Sequence, residues 1–402
     1  MNSISTIALV EWNWMGHHPS YFKLFVRVLL ARGCQVLALC PQPEEVDLAL
    51  QDLDAKTRAR LTLRLLTWAP APRGCPGRWK RRAQTLRSVY QLRRQIGRWE
   101  AEQREPVELI FFACIYDGQF CQFREVEWLL PCQWSGLYLH CRAFRMPGSV
   151  IPQSGELPCP ERIFRSAKLH SIAILDEGAT TALERLSGRP VVVFPDMTDE
   201  QAAEEPTPLT TKLRRFAAGA PIIGALGQLQ YTKGVITLAR LALDPANKDL
   251  CFVFIGEVVW QTFKPEDRVL LSSLKDRCAN VYTHFERIAD ERLFNNAIQA
   301  CDVVFAAYLD FPNSSGILTK AAVFRKPIIV SEGYLMAERV RKYQIGEVVP
   351  EGDVGATGLA IRGILMKEGV WSNERRPKWE EYHKEHSYQR LEASFTKLLS
   401  AN

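Results

Sequence analysis

The sequence predicts an α/β protein made of two Rossmann-like, doubly wound domains with a cleft between them. Three observations carry this prediction. The chain has 402 residues, more than the roughly 250–300 that one hydrophobic core usually organises. Short apolar runs alternate with helically spaced apolar residues in two separate series, and a polar stretch divides them. Repeated strand-then-helix order builds a parallel sheet, because each crossover helix covers a sheet face and the strands become apolar on both sides.

The first series opens on the apolar run Ile4 to Val10 and on apolar residues at helical spacing from Tyr21 to Arg32. Gly33 stops that helix, and Gln35 to Cys40, ended by Pro41, completes one βαβ unit. A polar helix is expected over Glu44 to Arg60, a strand over Leu61 to Thr67, a long basic helix over Arg78 to Gln103 and a strand over Leu109 to Cys114. Strands at Gly136 to His140, Ser171 to Leu175 and Val191 to Phe194 follow. Acidic, Pro- and Thr-containing sequence from Asp199 to Thr211 then marks a break. The second series has strands at Ile222 to Leu226, Leu250 to Ile255, Val281 to Phe285, Val303 to Ala307, Pro327 to Val330 and Glu347 to Val349. The expected organisation is a first domain at 1–200, a linker at 201–220, a second domain at 221–370 and a helical tail at 371–402 that crosses back onto the first.

Hydrophobic residues at 47% and charged residues at 24% are the proportions of a soluble globular protein, so the chain should fold throughout. The net charge of +6 is mild and comes largely from Arg78 to Gln103, which argues against nucleic acid as a partner, since a polyanion binder spreads its cations more widely. Eleven cysteines lie without a CxxC pair or a Cys/His cluster, several inside apolar runs, and read as reduced thiols with no metal site among them. Met1 to Trp12 lacks the pattern of a signal peptide and no stretch of about twenty apolar residues occurs. A cytoplasmic protein is expected, peripheral at the membrane inner face at most. The basic helix carries Trp79, Leu86, Val89, Tyr90, Ile96 and Trp99 among arginines, which suits either a membrane-surface helix or an apolar stripe packed on its own sheet.

Ligands of an open parallel sheet bind beyond the carboxyl ends of its strands, so three strand-to-helix loops hold the candidates. The first, Trp12 to Ser20, contains Gly16, His17 and His18, either a close-approach site for a ligand or a glycine turn with exposed histidines. The second, Gly227 to Gly234, puts Lys233 at the mouth of a helix, where its ammonium can meet a diphosphate or lie simply solvated. The third, Tyr308 to Lys320, is broken by Pro312, after which Asn313, Ser314, Ser315 and Gly316 form a small-residue helix start suited to phosphate oxygens. Pairing of this loop with Lys233 makes the phosphate site.

At these residues the second half resembles the donor domain of the retaining glycosyltransferases of the GT-B fold that include sucrose synthases and many bacterial mannosyl- and glucosyltransferases. The resemblance rests on IleIleGlyAlaLeuGlyGlnLeu at 222–229, LysGly at 233–234, PheIleGly at 254–256, CysAspValVal at 301–304 and LysProIleIleValSer at 326–331, about 110 residues in the family's order. Gln228 stands where the family usually has an arginine, and Pro312 and Lys320 stand where it has two glutamates, the second of which contacts the donor ribose. Asp310, Glu257 or Glu332 can replace that carboxylate, or Lys320 can bind phosphate. In the first half, TrpSerGlyLeuTyrLeuHisCysArg at 134–142 resembles the strand ending in the family's active-site histidine, which makes His140 the catalytic candidate, with a core histidine as the alternative.

The resemblance implies a metal-independent glycosyltransferase with a nucleotide sugar as substrate and no cofactor. Its donor would meet Gly227, Lys233, Gly234, Glu257, Asn313, Ser314, Ser315, Gly316 and Lys320, and its acceptor Gly16, His17, His18 and Asp117. No Asp-x-Asp ends a strand, so the diphosphate charge falls to Lys233 and backbone amides. A sugar-nucleotide epimerase of the same architecture and a non-catalytic sugar-nucleotide binding protein are the competing readings.

Overall fold

The computed structural model describes residues 4–16, 18–70, 77–115, 123–139, 141, 163–366 and 377–401. The chain divides into two compact units, Met1–Pro195 with Ser387–Asn402, and Asp196–His386. Both are α/β, each built on one parallel sheet.

Unit 1 carries β1 (Thr6–Val10), β2 (Gln35–Cys40), β3 (Leu61–Leu65), β4 (Leu109–Ile115), β5 (Gln133–Tyr138), β6 (Leu169–Ile174) and β7 (Val191–Val193). They run parallel in the order β3-β2-β1-β4-β5-β6-β7. The central strands β1 and β4 are buried at every residue, which is why, Thr6 apart, their sequences are apolar runs. On one face, helix Gly77–Gln103 inserts Val89, Leu92, Ile96 and Trp99, and the Trp99 indole donates to Thr62 Oγ1 at 3.0 Å. On the other, helix His18–Ala31 buries Phe22, Phe25, Val26 and Leu29 at helical spacing.

The final helix, Tyr388–Leu399, belongs to this unit. Its Phe395 ring meets Phe25 at 5.3 Å, Phe111 at 5.2 Å and Phe194 at 4.8 Å. The predicted tail is therefore two helices. Trp379–Glu385 stays with unit 2, where Tyr382 packs 5.0 Å from the Tyr343 ring, and Ser387 caps a fresh start by accepting from Arg390 N at 3.2 Å. Residues 371–376 lie outside the described residues. The helix expected over Glu44 to Arg60 is likewise two pieces, Pro43–Ala49 and Ala55–Arg58, because the Asp54 carboxylate caps the second by accepting from Thr57 N at 3.0 Å.

Unit 2 carries β8 (Ile222–Leu226), β9 (Cys251–Ile255), β10 (Val281–His284), β11 (Val303–Ala306), β12 (Ile328–Ser331) and β13 (Gly346–Val349), parallel in the order β10-β9-β8-β11-β12-β13. In both sheets the winding direction reverses beside the first strand, between β1 and β4 and between β8 and β11, which is where open α/β sheets bind ligands. The stretch read as a linker is folded onto unit 2. Asn295 Nδ2 donates to the carbonyls of Asp199 and Gln201 at 3.0 and 2.7 Å, and Asn296 Oδ1 accepts from Ala203 N at 2.7 Å. Two side-chain amides thus supply the backbone partners that irregular chain would otherwise lack. Beyond it, Thr207 caps helix Pro208–Ala217.

No helix among the described residues is long and apolar enough to cross a membrane. The eight described cysteines are free thiols.

Candidate functional site

The loops that follow β8 and β11 flank the switch point of unit 2, and they are bound to each other. Leu309 N donates to Thr232 O at 2.8 Å. Gly234 has φ +68° and lies so close to the other loop that a Cβ there would overlap the Ala307 carbonyl oxygen. Only glycine permits both the left-handed backbone and that approach. Next to it, Lys233 Nζ lies 3.8 Å from the centroid of the Tyr308 ring and 4.8 Å from that of Phe311, and the two rings meet edge to face at 5.1 Å. No carboxylate pairs with Lys233 among the described residues. Its ammonium is held by ring quadrupoles, which position a cation without neutralising it.

Helix Gly316–Val323 begins after Ser315, whose side chain makes no capping bond. The amides of Ser314, Ser315 and Gly316 meet no protein acceptor among the described residues, as at any helix start that awaits an anion or water. Asn313, half-buried, precedes them. The Ser314 hydroxyl is turned inward, donating to the Asp196 carboxylate and accepting from Arg339 Nη1 at 2.9 Å. Arg339 is only 2% exposed and reaches Asp196 Oδ2 at 3.3 Å, so a buried ion pair anchors the loop from beneath. The Tyr308 hydroxyl lies 3.4 Å from Ser315 Oγ.

Lys320, a donor-binding candidate, has partners inside unit 2. Its side chain is 10% exposed, and Nζ lies 2.8 Å from Glu291 and donates to Asn295 Oδ1 at 2.7 Å. Lys320 occupies the buried face of its helix, directed at helix Glu291–Ala300, and its charge is used inside the fold. Gly227, with φ +99°, donates to Ile255 O at 2.9 Å, and Glu257 stands exposed past the end of β9. Asp310 and Glu332 are also exposed, past the ends of β11 and β12, and Asp310 N donates to Glu351 Oε1 at 3.0 Å.

In unit 1, Gly16 is exposed with φ +61°. His18 is not the exposed histidine of the glycine-turn reading. It is buried, with Nδ1 2.8 Å from Glu11 Oε2 and Nε2 3.4 Å from Asn13 Nδ2. Glu11 Oε1 accepts from the amides of Trp12 and Asn13, both at 2.8 Å. Cys114 completes a buried trio whose ligating atoms lie within 4.8 Å of one another. Burial first, and then the Glu11 charge, hold the Cys114 thiol well above its usual pKa. A protonated thiol beside a carboxylate already engaged by three N–H groups makes this a hydrogen-bond hub at the end of β1, and a cation would have to displace those bonds. His17, Asp117 and the catalytic candidate His140 lie outside the described residues.

A cavity of about 610 Å³, lined by residues including Phe216, Leu243, Lys248, Arg277 and Cys278, opens in unit 2 at the amino ends of β9 and β10. It opens at the opposite end of the strands from the switch-point loops, so its volume does not mark the ligand site expected there. The residues that sequence reading missed are Asp196, Arg339, Tyr308, Phe311 and Glu11. Arg339 sits in LeuMetAlaGluArgValArgLysTyr, four residues from both Leu335 and Tyr343 on the buried helix face, a placement that helical spacing gives but that its charge argues against when read locally.

The fold is that of the glycosyltransferases of GT-B type, two parallel α/β units with helices alternating along each sheet. Solved structures that this chain resembles over nearly its full length include an α,α-trehalose-phosphate synthase (UDP-forming) from Burkholderia vietnamiensis, at TM-score 0.68 and 12% identity with 99% of this chain and 98% of that one covered. HepE from Anabaena in complex with UDP and glucose gives TM-score 0.67 and 13% identity, covering 99% of each chain. A glycosyltransferase from Rickettsia africae gives TM-score 0.67 and 12% identity, covering 99% and 98%. No protein-family model and no curated protein sequence matches the chain.

Proposed function

We propose that the chain is a glycosyltransferase that takes a sugar from a nucleoside-diphosphate donor bound in unit 2 and passes it to a hydroxyl group. One observation carries the reading: Lys233, with no carboxylate partner among the described residues, is held over Tyr308 and Phe311 at the switch point, on the loop bound to the one that ends in the amides of Ser314 to Gly316, which meet no acceptor among those residues. Departure of a sugar leaves negative charge on the diphosphate, and preorganised donors aimed at that charge lower the barrier. The ammonium and the amides supply them without a metal. Asp310, Glu257 and Glu332, exposed past the ends of β11, β9 and β12, are the candidate acceptors for ribose hydroxyls, and the Gly16 loop of unit 1 is the acceptor candidate. Retention of anomeric configuration follows the family that the sequence resembles.

UDP-forming and UDP-bound relatives in fold make uridine diphosphate sugars the first donors to test. In a thermal-shift panel of nucleotide sugars, a bound donor at 100 times its Kd stabilises the fold by about 2.7 kcal/mol. Lys233→Ala removes a charge-assisted contact worth about 1.5–3 kcal/mol, so donor affinity should fall roughly 10- to 100-fold. No shift with any nucleotide sugar, or an unchanged Kd in the variant, sinks the assignment. Binding without turnover favours the non-catalytic reading, for which the diversion of Lys320 into an internal ion pair is the specific support.

A further inference from the structure

We propose that the outward face of helix Gly77–Gln103, together with Trp128, is a docking surface for an anionic lipid bilayer. This goes beyond the donor-site reading and does not depend on it. Between Gly77 and Trp99 the chain carries eight lysines and arginines and no carboxylate, while the remainder of the chain has a small acidic excess. The net positive charge of the protein thus comes from one helix.

The structure divides that helix cleanly. Val89, Leu92, Ile96 and Trp99 are buried against the unit 1 sheet, so the fold's need for an apolar stripe is met without the opposite face. On that face Trp79 is 49% and Tyr90 53% exposed. At 3.6 residues per turn, Trp79, Arg87, Tyr90 and Arg94 fall within roughly 80° of one another, and Trp79 and Tyr90 stand about 16 Å apart along the axis. The Arg82 guanidinium lies 5.4 Å from the Trp79 ring centroid. Arg93 extends the surface to helix Phe123–Leu129 by donating to Trp128 O at 3.4 Å, and the Trp128 side chain is 78% exposed.

Three nearby acidic groups among the described side chains are occupied elsewhere. Glu127 accepts from Ser166 Oγ at 2.7 Å, Glu100 from Val107 N at 2.9 Å, and Glu102 pairs with Arg64. What remains is a row of cations with amphipathic indole and phenol rings among them. Cations seek the surface of an anionic leaflet, and half-exposed Trp and Tyr settle at headgroup depth, where one end of the ring stays wet. A nucleic-acid duplex would use the charge but gives no reason for the indoles to protrude from two different helices, whereas a single strand could stack on them and is separated from a bilayer by the test below.

The test is co-sedimentation of the full chain with phosphatidylcholine vesicles, alone or with about a third phosphatidylglycerol, where a preference of at least tenfold for the anionic vesicles is expected. Arg87→Glu with Arg94→Glu should erase that preference. Trp79→Ala with Trp128→Ala, which keeps every charge, should lower anionic binding several-fold. Because all four side chains are on the surface, melting temperatures should stay within a few degrees of the parent. In the unaltered protein, brominated lipid should quench tryptophan fluorescence, and the double tryptophan variant should lose that quenching. Equal binding to both vesicles, no binding to either, or no quenching overturns the proposal. So does an unchanged double tryptophan variant that single-stranded DNA displaces completely, which would mark a polyanion surface.

Discussion

Replacing Arg339 by methionine tests how the site loop is held. In the folded chain the Arg339 guanidinium and the Asp196 carboxylate, both nearly inaccessible to solvent, lie 3.3 Å apart and share the Ser314 hydroxyl. The pair itself contributes little net stability, because both charges lose their hydration, but removing one partner leaves the other charge buried and costs about 3–5 kcal/mol. For a unit of this size, about 2–4 °C is lost per kcal/mol, so Arg339→Met should lower the melting temperature by roughly 6–20 °C. The discriminating variant is Arg339→Met combined with Asp196→Asn, which removes the orphaned charge and retains an acceptor for Ser314. The double variant should recover about 1–3 kcal/mol relative to the sum of the singles, the coupling expected of residues in one network. Urea unfolding of the four proteins measures this. Arg339→Met within about 1 kcal/mol of the parent, or strict additivity, would refute the account of the pair as the anchor of the Ser314 loop.

Lys320→Met should destabilise unit 2 while leaving nucleotide-sugar affinity unchanged within about threefold, since its charge is directed to Glu291 and Asn295; calorimetric titration of donor into the refolded variant distinguishes this from a phosphate ligand. Gly234→Ala should cost about 1–3 kcal/mol by chemical denaturation, because φ is +68° there and the new methyl meets the Ala307 carbonyl. Phe395→Ala should cost about 3–5 kcal/mol, measured the same way, by opening the Phe25, Phe111 and Phe194 cluster. Burial pushes the thiols of Cys40, Cys132 and Cys301 up to about 12 and that of Cys251 up to about 11. An unfolded thiol ionises near about 8.5, so the unfolded chain loses these protons first; the contribution to stability is complete below that pH and falls away as pH rises toward the folded values. Urea midpoints that hold or rise between about pH 8 and about pH 10 would contradict it.

The two α/β sheets were legible in the sequence because burial on both faces leaves a run of apolar residues that needs no partner to be recognised. Gln35 to Cys40 and Ile222 to Leu226 are strands at the boundaries read from the sequence. The candidate loops were legible for a related reason: Gly227 to Gly234 and Tyr308 to Lys320 follow β8 and β11, and the carboxyl ends of parallel strands are where chain order alone puts a site. Breaks made by one side chain were not, as with Asp54, because a capping aspartate within a polar helix pattern looks like any other surface residue.

By itself, then, the sequence determined the layered α/β class, the order of strands and helices, and which loops stand at sheet ends, all properties carried by local periodicity. The tertiary structure decided which charges those loops can use. It seats Lys233 on Tyr308 and Phe311, turns Lys320 inward to Glu291, buries Arg339 against Asp196 and buries His18 against Glu11. The partners in these contacts stand from 7 to 143 residues apart in the chain. A side chain's charge is visible in a sequence, but whether it is spent inside the fold depends on what the folded chain brings within about 4 Å of it, and no local pattern encodes that.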